Sequence, residues 1–228
     1  MILYDVEVMI KRFKAILFDL DGTLLDTLKD LADSMNAVLS RHGMNTFAVD
    51  DYRFFVGKGL RELIKCVLPK DKIREQTIDE FLSAMRIEYA KRWIENTKPY
   101  PRVPDLLDEL QKISLPMAVL SNKADEFTQI MVKTLLPKWQ FQSIHGLKND
   151  LPAKPDPTSA LQIAHELRIQ PRNFIYLGDA GIDMQTANSA GMHAVGALWG
   201  FRKAEELRAN GAKILVEFPL QVLDLLDL

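Results

Sequence analysis

Where three short apolar runs stop, carboxylates and hydroxyls take over. Asp19, Asp21 and Thr23 follow Lys14–Phe18, Ser121 and Asn122 follow Pro116–Leu120, and Asp179 and Asp183 follow Phe174–Leu177, with Lys154 on the connection between the last two. Carboxylates gathered at one place are hard oxygen donors suited to Mg²⁺, which takes near-octahedral oxygen ligands at about 2.0 to 2.1 Å. Such an ion offsets phosphate charge. Lys154 and the hydroxyls of Thr23 and Ser121 then offer a point charge and neutral donors to other phosphate oxygens, with Asn122 beside them. The pattern points to phosphoryl chemistry. Each residue also has a plainer use: a solvated loop acid, a helix N-cap at Ser121, a surface lysine, a first-turn helix acid at Asp183. Two acids just past a buried strand, with Gly22 permitting the turn, favour the chemical reading.

The elements that must hold these residues follow from periodicity. Lys14–Phe18, Pro116–Leu120, Phe174–Leu177, Ala194–Ala197 and Ile214–Val216 read as buried strands. Between them the period becomes helical, as at Val103, Leu106, Leu107 and Leu110. Alternating strands and helices form a parallel sheet covered on both faces, and ligands bind beyond its C-terminal strand ends. The fold class is therefore α/β, with a doubly wound, Rossmann-like core. Residues 26–97 break the alternation, reading only as helices around Leu28–Leu39, Leu60–Val67 and Ile78–Tyr89, and Lys98-Pro99-Tyr100-Pro101 reads as a linker. The division is a core over 13–25 and 98–228 and a helical insert over 26–97.

Composition sets the outer bounds. The 228 residues are 47% hydrophobic and 26% charged, enough to bury a sizeable core and too apolar for a disordered chain. The net charge of -2 gives no polyanion-binding surface, so no nucleic acid is expected. No apolar run reaches the roughly 18 residues of a membrane span, so no membrane partner is expected. Cys66, the single cysteine, has no partner for an internal disulfide and reads as packed beside Leu63, Ile64 and Val67 in a reducing compartment. Residues 1–12 read as a short extension without an export-signal pattern, with Met9 an alternative start. His42, His145, His165 and His193 show no metal-ligand spacing.

Asp19-Leu20-Asp21-Gly22-Thr23-Leu24-Leu25-Asp26, Ser121, Lys154 in Lys154-Pro155-Asp156-Pro157, and Gly178-Asp179 with Asp183 resemble, in order, the four motifs of the haloacid dehalogenase superfamily. That resemblance implies that Asp19 is a nucleophile forming an aspartyl-phosphate, and that Asp21 is first the general acid and then the base. It also implies Mg²⁺ held by Asp19, the Asp21 carbonyl and Asp179, with Asp183 close by, and makes the insert a helical cap. Within the superfamily, Phe55-Val56-Gly57-Lys58-Gly59-Leu60-Arg61 and Leu198-Trp199-Gly200-Phe201 are similar to phosphoglycolate phosphatases, so Gly57, Lys58 and Arg61 are the expected cap specificity residues. The implied function is hydrolysis of 2-phosphoglycolate or a similar small phosphorylated metabolite, by a cytoplasmic monomer or homodimer. Rivals within the superfamily are a sugar-phosphate phosphatase, a pyrophosphatase and a phosphoglucomutase of the beta type. From another class, a phosphoacceptor signalling module also places an aspartate and Mg²⁺ ligands at strand ends, but it needs neither the insert nor Asp21.

Overall fold

Ala15–Phe18 (β1) is buried at every residue, as expected of a strand covered on both faces. In the computed structural model, which describes residues 13–148 and 150–226, β1 is flanked by Met117–Ala124 (β4) and Phe174–Gly178 (β6), both parallel to it. The extension at 1–12 lies outside the described residues. Beyond these strands lie Ser143–Leu147 (β5) on one side, and His193–Ala197 (β7) and Ile214–Val216 (β8) on the other, giving the parallel order β5-β4-β1-β6-β7-β8. The direction of winding reverses between β1 and β6, the place where a doubly wound sheet leaves a crevice at its carboxyl ends. Register decides what faces that crevice: Phe18 stands opposite both Val119 and Leu177, so the residues after each strand emerge at one level.

Alternation along the strands divides the interior. Ile16, Phe18, Val119 and Leu177 pack on one face, and Ala15, Leu17, Ala118 and Tyr176 on the other. Val103–Lys112 (α5) and Asp125–Leu135 (α6) cover the first face. Thr158–Glu166 (α7) and Gly181–Ser189 (α8) cover the second. β5 was not among the expected strands. Its sequence, Ser-Ile-His-Gly-Leu, carries no apolar run, because the Ser143 hydroxyl and the His145 ring both turn to Glu166, at 2.7 and 3.1 Å.

The residues between 26 and 97 are helical, comprising Leu28–Arg41 (α1), Tyr52–Phe55 (α2), Leu60–Val67 (α3), Glu75–Arg92 (α4) and short 3₁₀ turns. The chain leaves the core through Leu25–Asp26 (β2) and returns through Lys98–Pro99 (β3), which pair antiparallel. The buried Asp30 ties the first helix to the return: its carboxylate accepts hydrogen bonds from the backbone N–H groups and side chains of Asn96 and Thr97 at 2.7 to 3.0 Å. Cys66 corrects an expectation. The buried face of α3 is Leu63, Ile64 and Val67, and position 66 points away from it into solvent.

Candidate active site

Asp19 sits at the level set by the register. Asp19 donates its backbone N–H to the Leu177 carbonyl at 2.9 Å, which fixes the chain as it leaves β1. Its Oδ1 accepts from Lys154 Nζ at 2.6 Å, and the same ammonium reaches Asp183 Oδ1 at 2.7 Å and the Leu120 carbonyl at 3.2 Å. Asp183 Oδ2 accepts the Ala180 N–H at 3.0 Å, so this acid both caps α8 and faces the crevice. Asp179 Oδ2 accepts the Phe201 N–H at 2.7 Å, and Thr23 Oγ1 donates to its Oδ1 at 3.3 Å. Gly22 makes the turn at φ +92°, and a Cβ there would lie 2.3 Å from Asp179 Oδ2.

Asp19, Asp179 and Asp183 present ligand oxygens within 4.8 Å of one another, all buried. Burial raises the pKa of Asp19, an effect opposed by Lys154 and reinforced by Asp183 and Asp179. Asp179 is pushed up to about 7, by burial first and the Asp183 charge second, against the Phe201 N–H, Lys154 and Arg202. Three buried carboxylates with oxygens this close are the hard donor set a divalent cation favours, so these residues fit Mg²⁺.

Asp21 lies apart from this cluster. Both of its oxygens accept from Lys123 Nζ at 2.9 Å, and that ammonium sits 4.8 Å from the centroid of the Tyr89 ring on α4. The Asp21 carboxylate is therefore not among the clustered oxygens. Lys123 is the site residue that motif reading passed over, although it directly follows Ser121 and Asn122. The signal was a lysine continuing a strand whose other residues are almost all buried.

Several expected ligands have other work. Thr23 braces Asp179 and does not line the cavity. Ser121 lies inside β4 and caps no helix, its Oγ accepting the Lys123 N–H at 3.2 Å, though it does line the cavity. The Asn122 amide donates to the Lys154 and Gly57 carbonyls, each at 3.1 Å, and accepts the Lys154 N–H at 2.8 Å. Its polar atoms are occupied, so it positions Lys154 and the 57–59 loop and is no phosphate donor. Gly57 lines the cavity together with Val56, Leu60 and Leu63, but Lys58 and Arg61 do not. Lys58 is exposed, and Arg61 pairs with Glu75 and Asp79 on the outside of the insert, where α3 meets α4. Neither is placed to read a substrate. The space between the strand ends and the insert is a cavity of about 40 Å³.

The family model for haloacid dehalogenase-like hydrolases matches residues 16–197. The chain belongs to that family. Its relatives include a phosphoglycolate phosphatase of Aquifex aeolicus, 34% identical over 83% of this chain and 87% of the other. An N-acetylmuramic acid 6-phosphate phosphatase of Pseudomonas aeruginosa is 27% identical over 95% of this chain and 96% of the other. Among solved structures, a haloacid dehalogenase-like hydrolase from Streptococcus pneumoniae superposes with a TM-score of 0.84 at 27% identity, over 93% of this chain and 98% of the other. This haloacid dehalogenase-like hydrolase is thus a phosphatase, and among its described residues no helix is long and apolar enough to cross a membrane.

Proposed function

We propose that this hydrolase cleaves 2-phosphoglycolate, or a similarly small phosphorylated acid, through an aspartyl-phosphate on Asp19 with Mg²⁺ held by Asp19, Asp179, Asp183 and the Asp21 carbonyl. The observation that carries the reading is the contrast between two carboxylates. Asp19 is bound into the cluster of acids and Lys154, whereas Asp21 is held outside it by Lys123, and two acids in different environments can take different roles. Asp19 attacks phosphorus as the ester oxygen departs, and Asp21 delivers the proton that this oxygen needs. Asp21 then takes a proton from water as the water attacks the acyl phosphate, and Asp19 is restored. Lys154 keeps Asp19 and Asp183 in place and offsets the charge gathered on the phosphoryl oxygens. The ion, when bound, supplies Lewis-acid stabilisation of that charge.

Residues 26–97 act as the cap. The paired β2 and β3 form its joint, and α1, α3 and α4, with the loop at 56–59, line its closed side over the cavity. The narrowness of that cavity supports a small substrate. The names of two relatives support an acid, since phosphoglycolate and N-acetylmuramic acid 6-phosphate are both phosphate esters of carboxylic acids. The larger of these favours a second reading, a phosphorylated sugar acid, because that relative matches 95% of this chain.

A phosphate-release panel ranks these readings. With Mg²⁺ present, kcat/KM should be highest for 2-phosphoglycolate among small esters, and EDTA should abolish turnover until Mg²⁺ is returned. A higher value for N-acetylmuramic acid 6-phosphate selects the second reading, and full turnover in EDTA contradicts the metal assignment.

A further inference from the structure

The cations around the cavity differ in what they still have to bind. Lys154 is taken up by Asp19 and Asp183, and Lys123 by both oxygens of Asp21. Arg202 also lines the cavity, and its side chain is only 11% exposed. Its Nε pairs with Glu206 Oε1 at 3.3 Å, and its Nη2 donates to the carbonyls of Val56 at 3.0 Å and Phe54 at 3.3 Å. Its Nη1 is buried and meets no acceptor among the described residues. A guanidinium carries five N–H donors and cannot shed its charge, so a buried, unpaired face of it is costly unless an acceptor arrives.

The placement of Arg202 is fixed from two sides. On the core side, Trp199 Nε1 donates to the Thr23 carbonyl at 3.0 Å and Phe201 N–H to Asp179 at 2.7 Å. A Cβ on Gly200 would fall 2.4 Å from the Gly22 carbonyl, so the 199–202 loop lies directly on the loop that follows β1. On the insert side, the carbonyls Arg202 grips flank Phe55 and precede Gly57, which lines the cavity. Asp19 and Arg202 line the same cavity, so a substrate with its phosphate at Asp19 shares that space with the seam.

We propose that Arg202 is the specificity residue of this enzyme, its Nη1 face receiving the carboxylate of a phosphorylated acid. It takes the part expected of Lys58 and Arg61, which lie outside the cavity. With Nε and Nη2 anchored, Nη1 keeps two N–H donors and a permanent charge at a fixed place, which a flexible lysine would not. The inference rests on the acid-bearing substrate class proposed above, and makes acceptance of that class depend on one side chain at the seam.

The test compares 2-phosphoglycolate with ethyl phosphate, which has a methyl group in place of the carboxylate, in the wild type, Arg202→Gln and Arg202→Lys with Mg²⁺. The quantity read is the ratio of the two kcat/KM values, in which any loosening of the 54–57 segment common to both substrates cancels. The wild type should favour 2-phosphoglycolate, and Arg202→Gln should lower the ratio by about ten- to a hundredfold, the range for losing a charged hydrogen bond. Arg202→Lys, which keeps charge without the fork, should fall between, and it serves the test alone if Arg202→Gln does not fold. A wild type that prefers 2-phosphoglycolate with variants that keep its ratio overturns the role of Arg202 and leaves the substrate reading standing. A wild type that does not distinguish the two esters overturns both.

Discussion

Asp179 shows what the site costs without its ion. Burial and Asp183 lift its pKa from 3.8 to about 7, so over the interval between them the folded protein holds a proton that the unfolded chain gives up. The sign follows: stability contributed by the protonated form is present below about pH 4 and is lost as pH rises toward about 7. A divalent cation favours the ionised cluster and opposes that loss. Melting temperatures measured in EDTA and in Mg²⁺ should therefore separate as pH is raised from about 5 to about 8, with Mg²⁺ raising stability more at the higher pH. Curves that stay parallel would show that the three acids do not share an ion. These acids were legible in the sequence, since each stands just after a buried strand. Their ionisation was not, because it depends on which acids end up within a few ångströms of one another.

At the scale of elements, β4 matters most. It runs for eight residues, against four in β1 and five in β6, and so carries Ser121, Asn122 and Lys123 past the sheet edge in sequence. Successive residues alternate sides, which sends the Asn122 amide to Lys154 and Gly57 and the Lys123 ammonium to Asp21 and Tyr89. Lys123→Met should leave Asp21 without its anchor. Proton delivery matters for a poor leaving alkoxide and little for p-nitrophenolate, so kcat should fall more for 2-phosphoglycolate than for p-nitrophenyl phosphate, by up to the roughly 10²-fold at the low end for general acid–base catalysis. Equal losses for both esters would assign Lys123 to packing alone. The central strands and the helical insert could be read from period and apolar runs. The edge strand β5 could not, because its polar side chains are satisfied by Glu166 from α7, a partner set by tertiary packing. For the same reason Arg61 read as a substrate contact: sequence places it beside Gly57 and Gly59, but only the packing of α3 against α4 brings it to Glu75 and Asp79.

Across the whole molecule, the sheet carries the clustered acids and the helices of 26–97 meet it through a small number of polar contacts. Arg53 reaches the Gly200 carbonyl at 3.2 Å, Asn122 reaches Gly57 at 3.1 Å, and Arg202 reaches Val56 at 3.0 Å. The proposed chemistry sits at the strand ends, and the proposed selection sits at Arg202, a core residue placed where core and insert meet. The central claim concerns the chemical side, that Asp19 carries the phosphoryl group between two steps that Asp21 serves. Blocking the second step should make the intermediate visible. Asp21→Asn, quenched during incubation with Mg²⁺ and p-nitrophenyl phosphate, whose leaving group needs little proton delivery, and analysed by peptide mass spectrometry, should carry one phosphoryl group on the peptide that contains Asp19, and Asp19→Asn/Asp21→Asn should carry none. A phosphoryl group on another residue, or substantial turnover by Asp19→Asn, would contradict the account.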